Sequence, residues 1–401
     1  FRSHSFARIG LQRRDAAEWR KLAHFHLGQW PTIEYQALGR DRKWWEIAST
    51  DVPERLGAML PLKSAAWDAW RTAAKPDLSG TWAIAGHRPG IGAYGGTATV
   101  TRDGDGYAVT YALSGGDGRL LTGTGTAVVY TGYEWRGSAT INGEEWREVL
   151  AASKDGTRIA GRSFLAAHDE VGAIAEAVKV RPGTPVIAGL SRTALKAGET
   201  ARLTVWGGGL DGAVDLGPGV AVKEVSRTPT TVVVEATAAA DAAAGPRTVT
   251  VGAATAPGPV VYAAVDSVRV EPPYAIARVG ANDGPLPPVT ARFEAVGYLN
   301  GPDGQPGTAD DVRLGMLPAA WSLEPFNEAA RQMEDARFAG AIDGGGLFTP
   351  AGAGPNPDRV YGTNNVADLT VVAEVKDGGR ALRAEGHLIS TVQRWNDPPI
   401  R

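Results

Sequence analysis

The 401-residue chain contains no cysteine. That excludes a disulfide framework, a thiolate metal site and thioether attachment of haem by its own residues. Histidine is scarce, with six copies at positions 4, 24, 26, 87, 168 and 387. No serine stands in a Gly-x-Ser-x-Gly elbow, and the HExxH, Walker and dinucleotide fingerprints are missing, so neither a hydrolytic triad nor a nucleotide site has an anchor. No apolar run approaches the roughly 20 residues needed to span a bilayer. Neither sign of charge is in excess: 41 Lys+Arg stand against 44 Asp+Glu, a net charge of -3. Nucleic acid and anionic membrane surfaces are therefore disfavoured as partners. The chain opens at Phe1 without a charged n-region and apolar h-region, and so reads as a processed or truncated product.

Glycine and proline are abundant. The 52 Gly and 26 Pro punctuate the chain at short intervals, as an all-β protein with many turns requires. At about 150 residues per domain the length suggests three domains, and the dense strand pattern raises that to four smaller units.

Residues 1–75 differ from the rest, being rich in Trp and poor in β-branched alternation. In RRDAAEWRKLAHFHLGQWP, Asp15 and Glu18 fit a helix N-cap with its capping box, and Trp19, Leu22, Ala23 and His26 fall on one helical face. Gly28 and Pro31 end that helix, and further helical turns are expected over residues 42–48, 53–60 and 65–73. From Pro76 the period becomes two. TWAIAG, GGTATVTRDGDGYAVTYAL, LLTGTGTAVVYTGYEWRGSATING and EWREVLAASKDGTRIAGRSF are strands joined by Asp-Gly, Gly-Gly and Asn-Gly turns, a meander that makes 76–181 an antiparallel β-barrel or a sandwich. Arg181-Pro182-Gly183 opens a second unit, 182–272, with short strands such as ARLTV, TTVVVEAT and VVYAAV, expected to be an immunoglobulin-like β-sandwich. Residues 273–401 repeat the theme with ARFEAV, ADLTVVAEV and LRAEGHLISTV. Two long loops, LNGPDGQPGTADDVRLG and IDGGGLFTPAGAGPNP, interrupt them.

His26 is the first candidate for chemistry, because an imidazole on the Trp19 face points toward the helical core and could ligate a metal or haem iron. A core histidine satisfied by a backbone carbonyl is the competing reading, and His24 faces elsewhere. Asn300, Asp303, Asp310 and Asp311 place oxygen ligands suited to Ca²⁺ in one Gly-rich loop. Their spacing departs from an EF-hand, and a turn that needs no ion is the simpler expectation.

Several long strings carry a resemblance: SHSFARIGLQRRDAAEWRKLAHFHLGQWPTIEYQALGRDRKWW, GTWAIAGHRPGIGAYGGTATVTRDGDGY, TAVVYTGYEWRG, YLNGPDGQPGTADDVRLG, EDARFAGAIDGGGLFTPAGAGPNPDR and TVQRWNDPPIR. Over essentially the whole chain they closely resemble the large (alpha) subunit of bacterial quinohaemoprotein amine dehydrogenase. The resemblance implies a periplasmic heterotrimer in which a dihaem cytochrome c domain precedes three β-domains. It further implies beta and gamma partner subunits, a tryptophylquinone on the small one, and an external electron acceptor. By the same resemblance His4 is the proximal haem ligand and His26 the distal one, with Met59 the runner-up. Ser3 stands where the family's Cys-x-x-Cys-His motif has its second cysteine, and the half-domain for the other haem is absent. A haem c could therefore be held only by axial ligands and packing, and the expectation is a vestigial haem site in a non-catalytic, large-subunit-like scaffold. The alternative from another class is a stand-alone β-sandwich binding or adhesion protein with no redox role.

Overall fold

A computed structural model describes residues 6–29, 43–166, 172–280 and 286–393. It divides the chain into two units, Phe1–Lys75 and Pro76–Arg401.

The first unit is helical, with α1 (Phe6–Gly10), α2 (Ala16–Gln29), α3 (Trp44–Ser49), α4 (Asp51–Met59) and α5 (Ala65–Thr72). Asp15 caps α2, its carboxylate accepting from the Glu18 amide at 2.8 Å. Glu18 pairs with Lys21 at 2.8 Å, so the cap forms as half of the expected box. Helix α4 starts two residues earlier than its sequence suggests, which puts Pro53 in the first turn, where a missing N–H is harmless. Ser64 caps α5 by accepting from the Trp67 amide at 3.1 Å. Gly57 lets α4 close on α2, since a Cβ there would lie 2.8 Å from the Ala16 nitrogen. The core is small. Among the described residues of this unit Trp19 and Pro53 alone are buried, whereas Leu11, Phe25, Met59 and Leu62 are each more than half exposed.

The second unit opens with a closed antiparallel barrel of eight strands in sequence order. They are β1 (Gly80–Arg88), β2 (Gly92–Asp103), β3 (Gly106–Gly115), β4 (Leu120–Tyr130), β5 (Glu134–Ile141), β6 (Glu144–Ala152), β7 (Arg158–Leu165) and β8 (Gly172–Lys179). Closure settles the barrel-or-sandwich choice: β1 pairs with both β2 and β8, which leaves no open edge. Asn142 and Gly143, with φ of 50° and 82°, form the two-residue turn between β5 and β6 that only left-handed residues permit. One end of the barrel is plugged by Leu78, whose carbonyl accepts from the Trp82 indole at 2.8 Å.

A two-sheet sandwich follows, built from β9 (Val186–Leu190), β10 (Ala194–Lys196), β11 (Thr200–Gly208), β12 (Val214–Asp215), β13 (Val220–Thr228), β14 (Thr231–Ala238), β15 (Gly245–Val251) and β16 (Ala254–Tyr262). The sheets run β13-β14-β11-β9 and β10-β16-β15-β12, and β10 lies parallel to β16. Leu203 and Val205 of β11 and Val232 and Val234 of β14 fill its core with no exposed surface, as period-two alternation requires.

The last portion carries β17 (Ser267–Glu271), β18 (Tyr274–Arg278), β19 (Ala291–Arg292), β20 (Glu294–Leu299), β21 (Val312–Leu317), β22 (Ala320–Pro325), β23 (Gly340–Ile342), β24 (Leu347–Pro350), β25 (Ala367–Asp377) and β26 (Arg380–Thr391), with α6 (Glu328–Gln332) and α7 (Asp335–Phe338) between β22 and β23. Its sheets are β17-β20-β21, β18-β26-β25-β22 and β19-β24-β23. Two features correct the sequence reading. The tract IDGGGLFTP is a hairpin rather than a loop: Asp343 accepts from the amides of Gly345 and Leu347 at 2.8 and 2.9 Å and so turns β23 into β24. Strands this short fall below what alternation reveals. The two helices were also unforeseen, although Asn327 caps the first, accepting from the Ala330 amide at 2.9 Å.

A histidine–carboxylate hydrogen bond, an ion pair and one aromatic side chain join these β-domains. His87 of β1 meets Glu294 of β20 at 2.7 Å, and Lys196 of β10 meets Asp377 of β25 at 2.5 Å. Burial pushes the Asp377 carboxyl up, but hydrogen bonds from Lys196 and the Val265 amide outweigh it and hold the group below its usual range.

Candidate functional site

Helix α2 positions the first candidate. Trp19 is buried at 4% exposure, and His26, seven residues on along the same face, is half-buried. The His26 Nδ1 lies 2.8 Å from the Leu22 carbonyl oxygen. A carbonyl can only accept, so Nδ1 donates to it, the kind of contact that orients a ligating imidazole. The contact is that of a histidine satisfied by a backbone carbonyl. His24 is exposed and packs edge-on against Trp45 at 5.1 Å. Met59, at 75% exposure, faces solvent. His4 lies outside the described residues. The indole N–H groups of Trp19 and Trp44 are buried and find no acceptor among the described residues.

The carboxylates of the 300–311 loop are brought together and engaged. Asp303 accepts from the Gln305 amide at 2.8 Å, Asp310 from the Thr308 hydroxyl at 2.7 Å, and Asp311 from the Gly307 amide at 2.8 Å. Asp311 also pairs with Arg269, and Asn300 accepts from the Ser267 hydroxyl at 2.6 Å. Among the described residues no group of three or more His, Cys, Asp or Glu is arranged to hold a metal ion.

The barrel interior holds a carboxyl that sequence reading passed over. Glu148 of β6 is 8% exposed, and its two oxygens accept from the Tyr111 hydroxyl at 2.5 Å and the Trp135 indole at 2.8 Å. Gly137 makes room for it, since a Cβ there would sit 2.2 Å from its Oε2. The signal was present: Trp146, Glu148 and Leu150 occupy one face of a strand whose other inward residues are apolar. Burial raises the Glu148 carboxyl above its ordinary 4.5, with the Tyr111 and Trp135 hydrogen bonds offsetting part of the shift. Burial and the Glu148 charge likewise push the Tyr111 phenol up.

A proton held more tightly in the folded than in the unfolded chain stabilises at low pH, and that stability is lost as pH rises from 4.5 through the raised folded value. Glu148→Gln should therefore flatten the pH dependence of the barrel and stabilise it relative to wild type at neutral pH. Urea unfolding at several pH values from about 5 to 8 measures this; equal slopes for the two proteins would refute it.

A helical unit with a half-buried histidine, followed in sequence by a closed barrel and further β-sheets, defines a multidomain, mainly β protein with a small helical domain. The chain belongs to the quinohemoprotein amine dehydrogenase alpha-subunit family, whose models match it in series. The haem-binding domain matches residues 1–67, domain II 75–180, domain III 185–263 and domain IV 268–400. No curated protein matches the chain. Among solved structures, a de novo designed fluorescence-activating beta barrel is similar at 23% identity, covering 28% of this chain and 97% of its own, with a TM-score of 0.21. The cadherin-like domains 1 to 4 of zebrafish RET are similar at 9% identity, covering 78% and 66%, with a TM-score of 0.23. A Bacteroides ovatus mixed-linkage glucan utilization protein is similar at 12% identity, covering 64% and 58%, with a TM-score of 0.22. Likenesses this slight carry no functional argument.

Proposed function

We propose that the chain is the scaffolding, electron-relaying component of a periplasmic amine dehydrogenase assembly, with its helical unit holding a haem. The observation that carries this is His26, whose Nδ1–H is anchored on the Leu22 carbonyl at 2.8 Å, the backbone contact that orients a ligating imidazole. Two further features fit the same group. Leu11, Phe25 and Leu62 expose apolar surface that a porphyrin face would cover. His4 supplies the second imidazole by family correspondence. No cysteine of residues 1–401 can attach the haem, so these residues contribute ligation and packing. A bound haem would supply one-electron transfer, and the chain's residues would orient its iron and exclude water from it.

The reaction with amine is assigned to a quinone on a partner subunit by family correspondence. The three β-domains, tied by the His87–Glu294 and Lys196–Asp377 pairs, form one framework on which the beta and gamma subunits would assemble. Among the described residues no helix is long and apolar enough to cross a membrane.

The test is a haem titration of the purified chain followed by absorption spectroscopy. A Soret band with a low-spin spectrum is expected, lost in His26→Ala and retained in Met59→Ala. No band in wild type, or an unchanged band in His26→Ala, overturns the haem role. Co-purification with a quinone-bearing subunit tests the scaffold role separately.

A further inference from the structure

A cleft of about 380 Å³ lies between the barrel and the last β-domain. Pro89 of the β1–β2 turn, Arg162 of β7 and Gly172 of β8 form its barrel wall, and Pro272, the first half of β18 and residues 290–292 form the other. Ligand sites span roughly 300–1,000 Å³ and favour domain boundaries, so both the size and the place suit a small molecule.

The lining decides what could fill it. Its polar side chains are Arg162, Tyr274, Thr290 and Arg292. Two are cations, all of them can donate a hydrogen bond, and among the described residues no carboxylate lines the cleft. A cation therefore finds no counter-ion there. Arg292 is fixed from two sides. Its Nη1 donates to the Gly345 carbonyl at 2.9 Å, and the bare backbone of Gly90 lies on its guanidinium, where a Cβ would come within 2.7 Å of the central carbon. Its Nε and Nη2 have no partner in the protein and keep accessible surface. That pair of nitrogens is an edge of the guanidinium that can hold a carboxylate bidentately. The carboxylate that senses Arg292 is Asp343, and it is already engaged by the amides of Gly345 and Leu347. Arg162, which is exposed, is laid against Gly172 in the same manner, with a Cβ there 2.3 Å from its Nε. The Thr290 hydroxyl has no partner in the protein and is also accessible. The remaining wall is apolar, chiefly Pro89, Pro272 and Ile276, with the half-exposed Tyr274 ring at its edge.

We propose that this cleft binds a small organic carboxylate, its anionic group received on the Nε–Nη2 edge of Arg292 and its hydrocarbon or aromatic body lying against Ile276, Pro272 and the Tyr274 ring. Arg162 adds a second positive charge from the barrel side, so an occupant is attracted to both domains at once. A molecule that binds only where the two walls face each other stabilises their docking by mass action. A bare inorganic anion would satisfy the charge and leave the apolar wall uncovered, which favours the organic acid.

The experiment is a ¹⁹F NMR titration of 4-fluorobenzoate with the purified full chain, without added haem. Saturable broadening of the fluorine line is expected, with a dissociation constant in the millimolar range or below, reversed by unlabelled benzoate and weakened by added salt. Arg292→Gln should weaken binding about ten-fold, the worth of a charge-assisted hydrogen bond. Arg292→Lys should recover little of that, because an ammonium has charge but no fork. Since both changes touch a residue that also contacts Gly90 and Gly345, Ile276→Trp serves as the second variant: it fills the cleft, leaves Arg292 in place, and should abolish binding while the melting temperature stays near that of wild type. The proposal is overturned if wild type shows no saturable binding, if Arg292→Gln binds as well as wild type does, or if Ile276→Trp folds and still binds. Inorganic phosphate competing as strongly as benzoate would show that charge alone is read, and benzyl alcohol competing as strongly would show that charge is not read at all; either result also overturns it. None of these outcomes depends on whether the helical unit binds haem.

Discussion

Arg359→Met should destabilise the last β-domain by about 3–5 kcal/mol, the cost of leaving one partner of a buried ion pair alone. Arg359 and Asp335 are 4% and 6% exposed, and the Arg359 guanidinium pairs with the Asp335 carboxylate. The same guanidinium donates to the carbonyls of Asn364 and Val366 at 3.0 and 2.7 Å and of Met333 at 3.2 Å. The other Asp335 oxygen accepts from the Asp368 amide at 2.9 Å. One side chain thus fastens the start of α7, the 351–366 loop and the start of β25. Methionine fills the volume but strands a buried carboxylate and three carbonyls. The measurement is urea unfolding combined with hydrogen exchange at the Asp368 amide, which should lose protection locally before the domain opens. The double variant Arg359→Met, Asp335→Leu should recover much of the loss, because no uncompensated charge remains. A single-variant loss below about 1 kcal/mol would place the pair among those worth no more than surface ion pairs.

That pair shows where the sequence stops being legible. The partners stand 24 positions apart, and nothing in the composition of the Gly- and Pro-rich tract around Arg359 announces that its arginine is buried. The barrel was legible for the opposite reason. Its strands alternate with period two and consecutive strands are joined by local turns such as Asn142-Gly143, so every pairing but the closing β1–β8 one is encoded within some twenty residues. The helices α6 and α7 have five and four residues. Their stability comes from packing on β22 and β25 rather than from a period that could be read in advance.

The candidate residues divide in the same way. The inward placement of His26 followed from its spacing to Trp19, because i and i+7 share a face on any helix. That the Leu22 carbonyl engages its Nδ1 also follows from helical geometry, i to i−4, once the helix is granted. Glu148 was readable as a charged residue in an inward register, but its meaning depends on Tyr111 and Trp135, which reach it from β3 and β5 only after the barrel closes. The acidic loop shows the converse. Its composition suits an ion, yet the amides of Gln305 and Gly307 and the Thr308 hydroxyl already use its oxygens, as Asp-rich turns commonly do.

Trp206→Ala should cost about 3–5 kcal/mol and uncouple the barrel from the sandwich that follows it. Trp206 on β11 is fully buried, and the barrel strand β2 approaches it through Gly95, where a Cβ would lie 2.4 Å from the indole ring. Beside it Gly189 of β9 meets Ala85 of β1 in the same manner, with a Cβ 2.5 Å from the Ala85 methyl group. The two domains are thus joined by backbone laid directly on a ring, an arrangement that only glycine at position 95 permits. Removing the ring leaves a cavity between two domains that have separate cores, and water can fill it at no further expense to either core. The expected result in calorimetry is that a transition shared by barrel and sandwich in wild type separates into two, the sandwich keeping most of its stability. Gly95→Ala should act in the same direction by about 1–3 kcal/mol, because the indole must shift to admit a methyl group. If Trp206→Ala lowers both domains equally without separating them, the coupling runs through the 180–185 connection and not through the ring. If neither variant changes the transition, the contact is incidental, and the framework proposed for partner assembly would lack its first joint.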